Sequence, residues 1–89
     1  MASFLVESYA PRLGADGLEL IVTRARAAAE SLDGPSGRVR HVRSYVVPGD
    51  EMCFHVFEAA SVEEVVRVSE LAGIEVERVV EAIGVGSGP

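Results

Sequence analysis

Six segments of this 89-residue chain repeat their apolar residues with a regular period, four of them every second residue and two every third or fourth. Their order is strand, helix, strand, strand, helix, strand, and it restricts the possible folds more than any other feature. Side chains alternate between faces along a strand, whereas residues three and four apart share one face of a helix. Ser3 to Tyr9 alternates as a strand. From Asp16 onward, Leu18, Ile21, Ala25, Ala28 and Leu32 recur at helical spacing, with Val22 and Ala29 widening the stripe. Asp16 and Glu19 are spaced for a capping box, and Gly34-Pro35 supplies a stop signal. Arg38 to Val47 and Glu51 to Ala59 read as two strands joined at Pro48-Gly49-Asp50, a hairpin. Ser61 and Glu64 are spaced for a second capping box. They precede the stripe Val62, Val65, Val68 and Ala72, which Val66 and Leu71 broaden and Gly73 ends. Ile74 to Val85 holds an irregular turn and a fourth strand, and residues 86–89 read as a flexible tail.

This order specifies an α+β chain of the ferredoxin-like βαββαβ type, with a four-stranded antiparallel sheet and two helices on one face. Residues 1–85 form the single domain. The other sheet face is bare unless something covers it. The apolar fraction of 48% is more than one small core needs, and Leu5, Tyr9, Tyr45 and Phe57 are assigned to the bare face. A homodimer through that face is therefore expected. The core is expected to contain the helix stripes with Phe4, Val6, Val42, Val46, Phe54 and Val56.

The net charge of −6 argues against a nucleic-acid partner, which needs a concentrated positive face. Arg38, Arg40 and Arg43 make only a local cluster, as on a solvated strand edge. No apolar run approaches the roughly 18 residues of a membrane span, so no membrane partner is expected. The first residues lack the basic region and long apolar stretch of a secretory signal. The single cysteine excludes an intrachain disulfide, and a cytoplasmic location is the expectation. All eight basic residues are arginine, a usage associated with GC-rich bacterial genomes.

The polar residues within the strand patterns are the candidate site. His41, Arg43 and Tyr45 alternate with Val42, Ser44 and Val46, and Cys53, His55 and Phe57 alternate with Met52, Phe54 and Val56. A three-residue hairpin loop pairs Val47 with Glu51, Tyr45 with Cys53 and Arg43 with His55, which gathers the polar set on the bare face. A one-residue slip would send the whole third-strand set to the other face. Glu7 of the first strand belongs with this set, and Glu81 flanks it if Val79, Glu81 and Ile83 face the same way. Imidazole, thiolate and carboxylate together suit nickel, zinc or copper, so Glu7, His41, Cys53, His55 and Glu81 are candidate ligands of a divalent transition metal. Arg43 and Tyr45 are candidates for holding a small molecule. A plainer reading has both histidines hydrogen-bonding within a half-polar face, Cys53 as a small buried hydrophobe, and Arg43 paired with Glu7.

Phe4-Leu5-Val6-Glu7, Ser44-Tyr45-Val46, Phe57-Glu58-Ala59, Ala72-Gly73-Ile74, Arg78-Val79 and Glu81 follow one another in an order that spans nearly the whole chain. Together they resemble a small bacterial family of unknown function related to a nickel-binding protein with a dimeric ferredoxin-like fold. The resemblance implies that fold, a dimer and nickel. In the family pattern a histidine precedes Ser-Tyr-Val, where this chain has Arg43, and a cysteine lies near the position of His55. Here His41 and Cys53 are each displaced by two residues, which implies a rearranged or lost ligand set. The leading expectation is a non-enzymatic, metal-binding homodimer. The alternative is an enzyme or small-molecule binder built like a dimeric α+β barrel. Its ligand would lie between the sheets, with His41, His55 or Tyr45 as acid or base.

Overall fold

Phe4 and Val6 from one strand and Phe57 and Ala59 from its neighbour lie under two helices, whose apolar stripes close over them. The computed structural model describes residues 2–32 and 39–85. In chain order the elements are β1 (Ala2–Tyr9), α1 (Ala15–Ser31), β2 (Arg40–Val47), β3 (Met52–Ala59), α2 (Val62–Leu71) and β4 (Arg78–Ala82). The strands form one antiparallel sheet in the order β2-β3-β1-β4. The expected ferredoxin-like α+β arrangement is therefore present. Gly34, Pro35 and Arg38 fall outside the described residues, as does the tail at 86–89.

In α1 the residues turned into the core are Ala25, Ala28 and Ala29, whose small side chains let the helix lie close to the sheet, with Ile21 and Leu32 packed beside them. The helix starts earlier than its capping signal suggests. Gly14 is the extended residue before it and no side chain caps it, so Asp16 sits in the first turn. There its carboxylate faces the positive end of the helix dipole. The second helix starts as expected, with Ser61 Oγ accepting from the Glu64 N–H at 3.4 Å. It ends at Gly73, whose φ of 78° is the left-handed conformation that a residue without Cβ adopts freely. Gly73 N–H donates to the Glu70 carbonyl at 3.1 Å and Ile74 N–H to the Ser69 carbonyl at 2.9 Å. This closing motif returns Ile74 to the core.

The hairpin differs from its expected register by one residue. Val47 pairs with Met52, Val46 with Cys53 and Ser44 with His55. The connection contains four residues, because Glu51 takes a left-handed conformation (φ 55°) after the short 3-10 turn Pro48–Asp50 and does not open the strand. Further along β2 the pairing shifts again. His41 lies opposite Phe57 but Arg43 lies opposite Val56, so Val42 is an extra residue at a bulge.

These two irregularities decide the faces. Cys53, His55 and Phe57 point toward the helices, together with His41, Ser44 and Val46. Met52, Phe54 and Val56 lie on the opposite face with Leu5, Glu7, Arg43 and Tyr45. The expectation that Phe54 and Val56 belong to the core, and Phe57 to the bare face, is thus reversed, whereas Phe4 and Val6 lie in the core as read. In β4, Val79 pairs with Val6 and Glu81 with Phe4, so that strand is also turned over relative to its expected pattern.

Phe57 is fully buried, and truncating a buried Phe removes its transfer free energy and leaves a cavity. Phe57→Ala is expected to lower unfolding stability by about 3–5 kcal/mol in urea titrations. An unchanged midpoint would place this ring outside the core.

Candidate functional site

The bulge at Val42 brings His41 and Ser44, three residues apart, onto the same face, and the four-residue hairpin loop brings His55 opposite Ser44. A continuous chain of hydrogen-bonding groups results. Arg26 Nε donates to His41 Nδ1 at 3.3 Å, His41 Nε2 lies 2.8 Å from Ser44 Oγ, and Ser44 Oγ lies 2.6 Å from His55 Nδ1. The direction of this chain follows from its first member. A guanidinium can only donate. His41 Nδ1 must therefore accept, which places the His41 proton on Nε2, where it is donated to Ser44 Oγ. The Ser44 hydroxyl then donates to His55 Nδ1, and His55 carries its proton on Nε2.

Burial reinforces this neutral arrangement. His41 and His55 are 6% and 1% exposed. Desolvation lowers the pKa of His41 from 6.5 to about 4, with the Arg26 charge acting in the same sense. Desolvation likewise lowers His55 to about 4, and its neighbour His41 adds to the effect. The Phe57 ring meets His41 edge-on at a centroid distance of 5.3 Å, filling the space beside the imidazole.

His55 also lines a half-open cavity of about 140 Å³ between the end of β1, α1, β3 and the loop that follows α2. Ser8, Ile21, Cys53 and Ile74 share its wall with the exposed Glu75. Burial raises the Cys53 thiol above its ordinary value, so this sulfur is a neutral thiol at physiological pH and not a ready nucleophile.

The remaining candidates lie elsewhere. Glu7 is on the uncovered face, where its partner is Arg78 on the neighbouring strand, with Nε to Oε2 at 2.8 Å, and not Arg43. Glu81 is exposed on the edge strand opposite Phe4, on the helix side. Arg43 and Tyr45 are exposed on the uncovered face, opposite Val56 and Phe54. The structure therefore groups His41, Cys53 and His55 on one face and separates them from Glu7, Arg43 and Tyr45. Among the described residues, no three His, Cys, Asp or Glu side chains are placed to hold a metal ion. Ser44 and Arg26, which complete and orient the imidazole chain, were not among the sequence candidates. Ser44 falls between two candidate positions in the strand pattern, and Arg26 lies on a helix whose periodicity reports only its apolar side.

Comparison with known proteins adds a family and a fold. A family model described as "Nickel responsive protein SCO4226-like" matches residues 4–82. The crystal structure of SCO4226 from Streptomyces coelicolor A3(2) is similar, with a TM-score of 0.81 at 20% identity over 96% of this chain and 100% of that one. At that identity the likeness carries the fold alone. No curated protein sequence matches the chain.

The histidine chemistry sets a pH dependence. The unfolded chain takes up protons at both imidazoles near pH 6.5, whereas the folded chain resists until about pH 4. Stability is therefore expected to be level from about pH 7 up to the alkaline range where the unfolded Cys53 thiol ionises before the buried one, and to fall as pH drops from 6.5 toward 4. The loss is at most on the order of 3 kcal/mol per histidine. Urea midpoints at several pH values will measure the loss. NMR titration of the imidazole protons will assign it, with midpoints near 4 expected; midpoints near 6.5 would remove the cause.

Proposed function

Because the chain belongs to the SCO4226-like family of nickel-responsive proteins, we propose that it is a small cytoplasmic homodimer that binds a divalent transition metal, nickel foremost, without catalysing a reaction. The observation that carries this reading is the sheet face that no element among the described residues covers. Leu5, Phe54, Val56 and Val80 lie half-buried on it, and Tyr9 and Tyr45 are 51% and 47% exposed there. A contiguous apolar surface of this kind costs free energy in water and is relieved by a second copy packing against it. Both copies then use the same patch about a two-fold axis.

The donor chemistry bears on where nickel would bind. Ni(II) favours tetragonal sets of nitrogen and oxygen donors. Among the described residues of one subunit the donors do not fit such a set, and both nitrogens of His41 and Nδ1 of His55 already have partners. In this reading the metal is shared between copies and held chiefly by carboxylates. Glu7, on a central strand of the face that dimerisation would cover, is the first donor to test; its one ion-pair partner among the described residues, Arg78, is mostly exposed and can turn away into solvent. The neutral, buried Cys53 thiol argues against nucleophilic catalysis.

Sedimentation equilibrium at micromolar concentration is expected to give a dimer mass, and a monomer mass would overturn the proposed assembly. In calorimetric nickel titrations, Glu7→Gln is expected to weaken binding markedly, while His55→Ala leaves the affinity within about twofold. The reverse pattern would return the metal to the imidazole.

A further inference from the structure

The cavity beside His55 has a size, a wall and one oriented donor, and these define a ligand class. We propose that it is a binding site for a small, uncharged, ring-sized molecule bearing a hydrogen-bond acceptor, which receives the Nε2–H of His55. Its volume of about 140 Å³ is close to the roughly 150 Å³ of a sealed, apolar engineered cavity that admits benzene, and because this one is half-open and partly polar it suits a ring that also carries a polar atom. Ile21 and Ile74 supply apolar surface for a flat ring, and Cys53 presents a neutral sulfur.

Two polar groups on this wall are unused. Among the described residues the Nε2 of His55 has no protein partner, and buried Ser8 makes no side-chain hydrogen bond. No fully enclosed polar side-chain atom lacks a partner, so both groups reach the cavity space or the water in it. The chain that begins at Arg26 makes His55 Nε2 a donor. A ligand that meets it with an oxygen or ring-nitrogen lone pair gains a hydrogen bond, whereas a cation or a metal ion meets a proton. An anion is disfavoured as well, because no arginine lines the cavity and the acidic Glu75 does. What remains is a neutral acceptor on an apolar ring. The site lies on the helix side of the sheet and does not depend on dimerisation or on nickel.

Pyridine and benzene are the probes. They match in size, and at pH 7.5 pyridine is neutral and adds one acceptor lone pair. Titrated into ¹⁵N-labelled wild-type protein, pyridine is expected to shift His55 Nε2 and the amides of Ser8, Ile21 and Ile74. It is expected to bind about five- to tenfold more tightly than benzene, the contribution of one neutral hydrogen bond. Ile21→Trp, which fills the cavity, should abolish both. Long-range ¹H–¹⁵N spectra of the wild type read the tautomer directly, and His55 with a bare Nδ1 and a protonated Nε2 is expected. Arg26→Met removes the obligate donor and should give mixed tautomers with a smaller pyridine preference. Equal affinity for the two probes, binding of neither, binding that survives Ile21→Trp, or a bare Nε2 on His55 in the wild type would each overturn the proposal.

Discussion

Two imidazoles placed in the core of a small domain must remain neutral, and each buried nitrogen must find a partner or open onto a polar space. The rest of this structure is arranged around that requirement. A stranded imidazole nitrogen would cost more than an ordinary hydrogen bond contributes. The chain from Arg26 through His41 and Ser44 to His55 meets the demand for three of the four ring nitrogens and leaves the last to the cavity. It also links α1 to β2 and β3, so the helix that covers the sheet is tied to the strands it covers by a directional contact as well as by packing.

Much of the architecture was legible in the sequence because it rests on periodicity. The six elements and most inward residues of both helices follow from apolar spacing, but Val62 and Leu71, read as part of the second stripe, are exposed, and Ser69, which the stripe passes over, is fully buried. The second capping signal and the glycine stop at Gly73 lie where side-chain and backbone chemistry place them. The faces of β3 were not legible, for a physical reason. Both of its faces are partly apolar, since Met52, Phe54 and Val56 alternate with Cys53, His55 and Phe57. Hydrophobicity alone sends Phe54 and Val56 inward. What selects the opposite arrangement is the left-handed conformation of Glu51, a residue with no strong preference for it, together with a bulge at Val42 that no glycine marks. Once those are in place, His41 and His55 change faces together, Glu7 takes Arg78 as its partner, and Ser44 becomes the link between the imidazoles.

The family resemblance and the site geometry speak to different surfaces. The chain shares its family with a nickel-responsive protein and its fold with SCO4226, while the histidines that suggested a metal centre in the sequence donate and accept within the core. An imidazole needs a free lone pair to ligate. In His41 both nitrogens have partners, and in His55 the lone pair faces Ser44. The plainer reading of these residues, as hydrogen-bonding groups, describes the chemistry seen here, though the face that carries them is the covered one.

A strand is read in twos, much as a gene is read in threes, and the bulge at Val42 acts as a frameshift in that reading. If β2 lost the bulge but kept all its residues, everything before Val42 would fall out of phase with everything after it, and one segment would exchange its inner and outer letters, whereas deleting Val42 itself would restore plain alternation with His41 and Ser44 still on one face. The four-residue connection from Pro48 to Glu51 sets the phase of β3 in the same way. Insertions and deletions in this hairpin therefore do not act as local edits. Homologues that place a histidine or cysteine one position away on β3, or two positions away across the bulge of β2, present it to the opposite side of the sheet, and aligning such chains by letter, without counting phase, will equate residues that never share an environment.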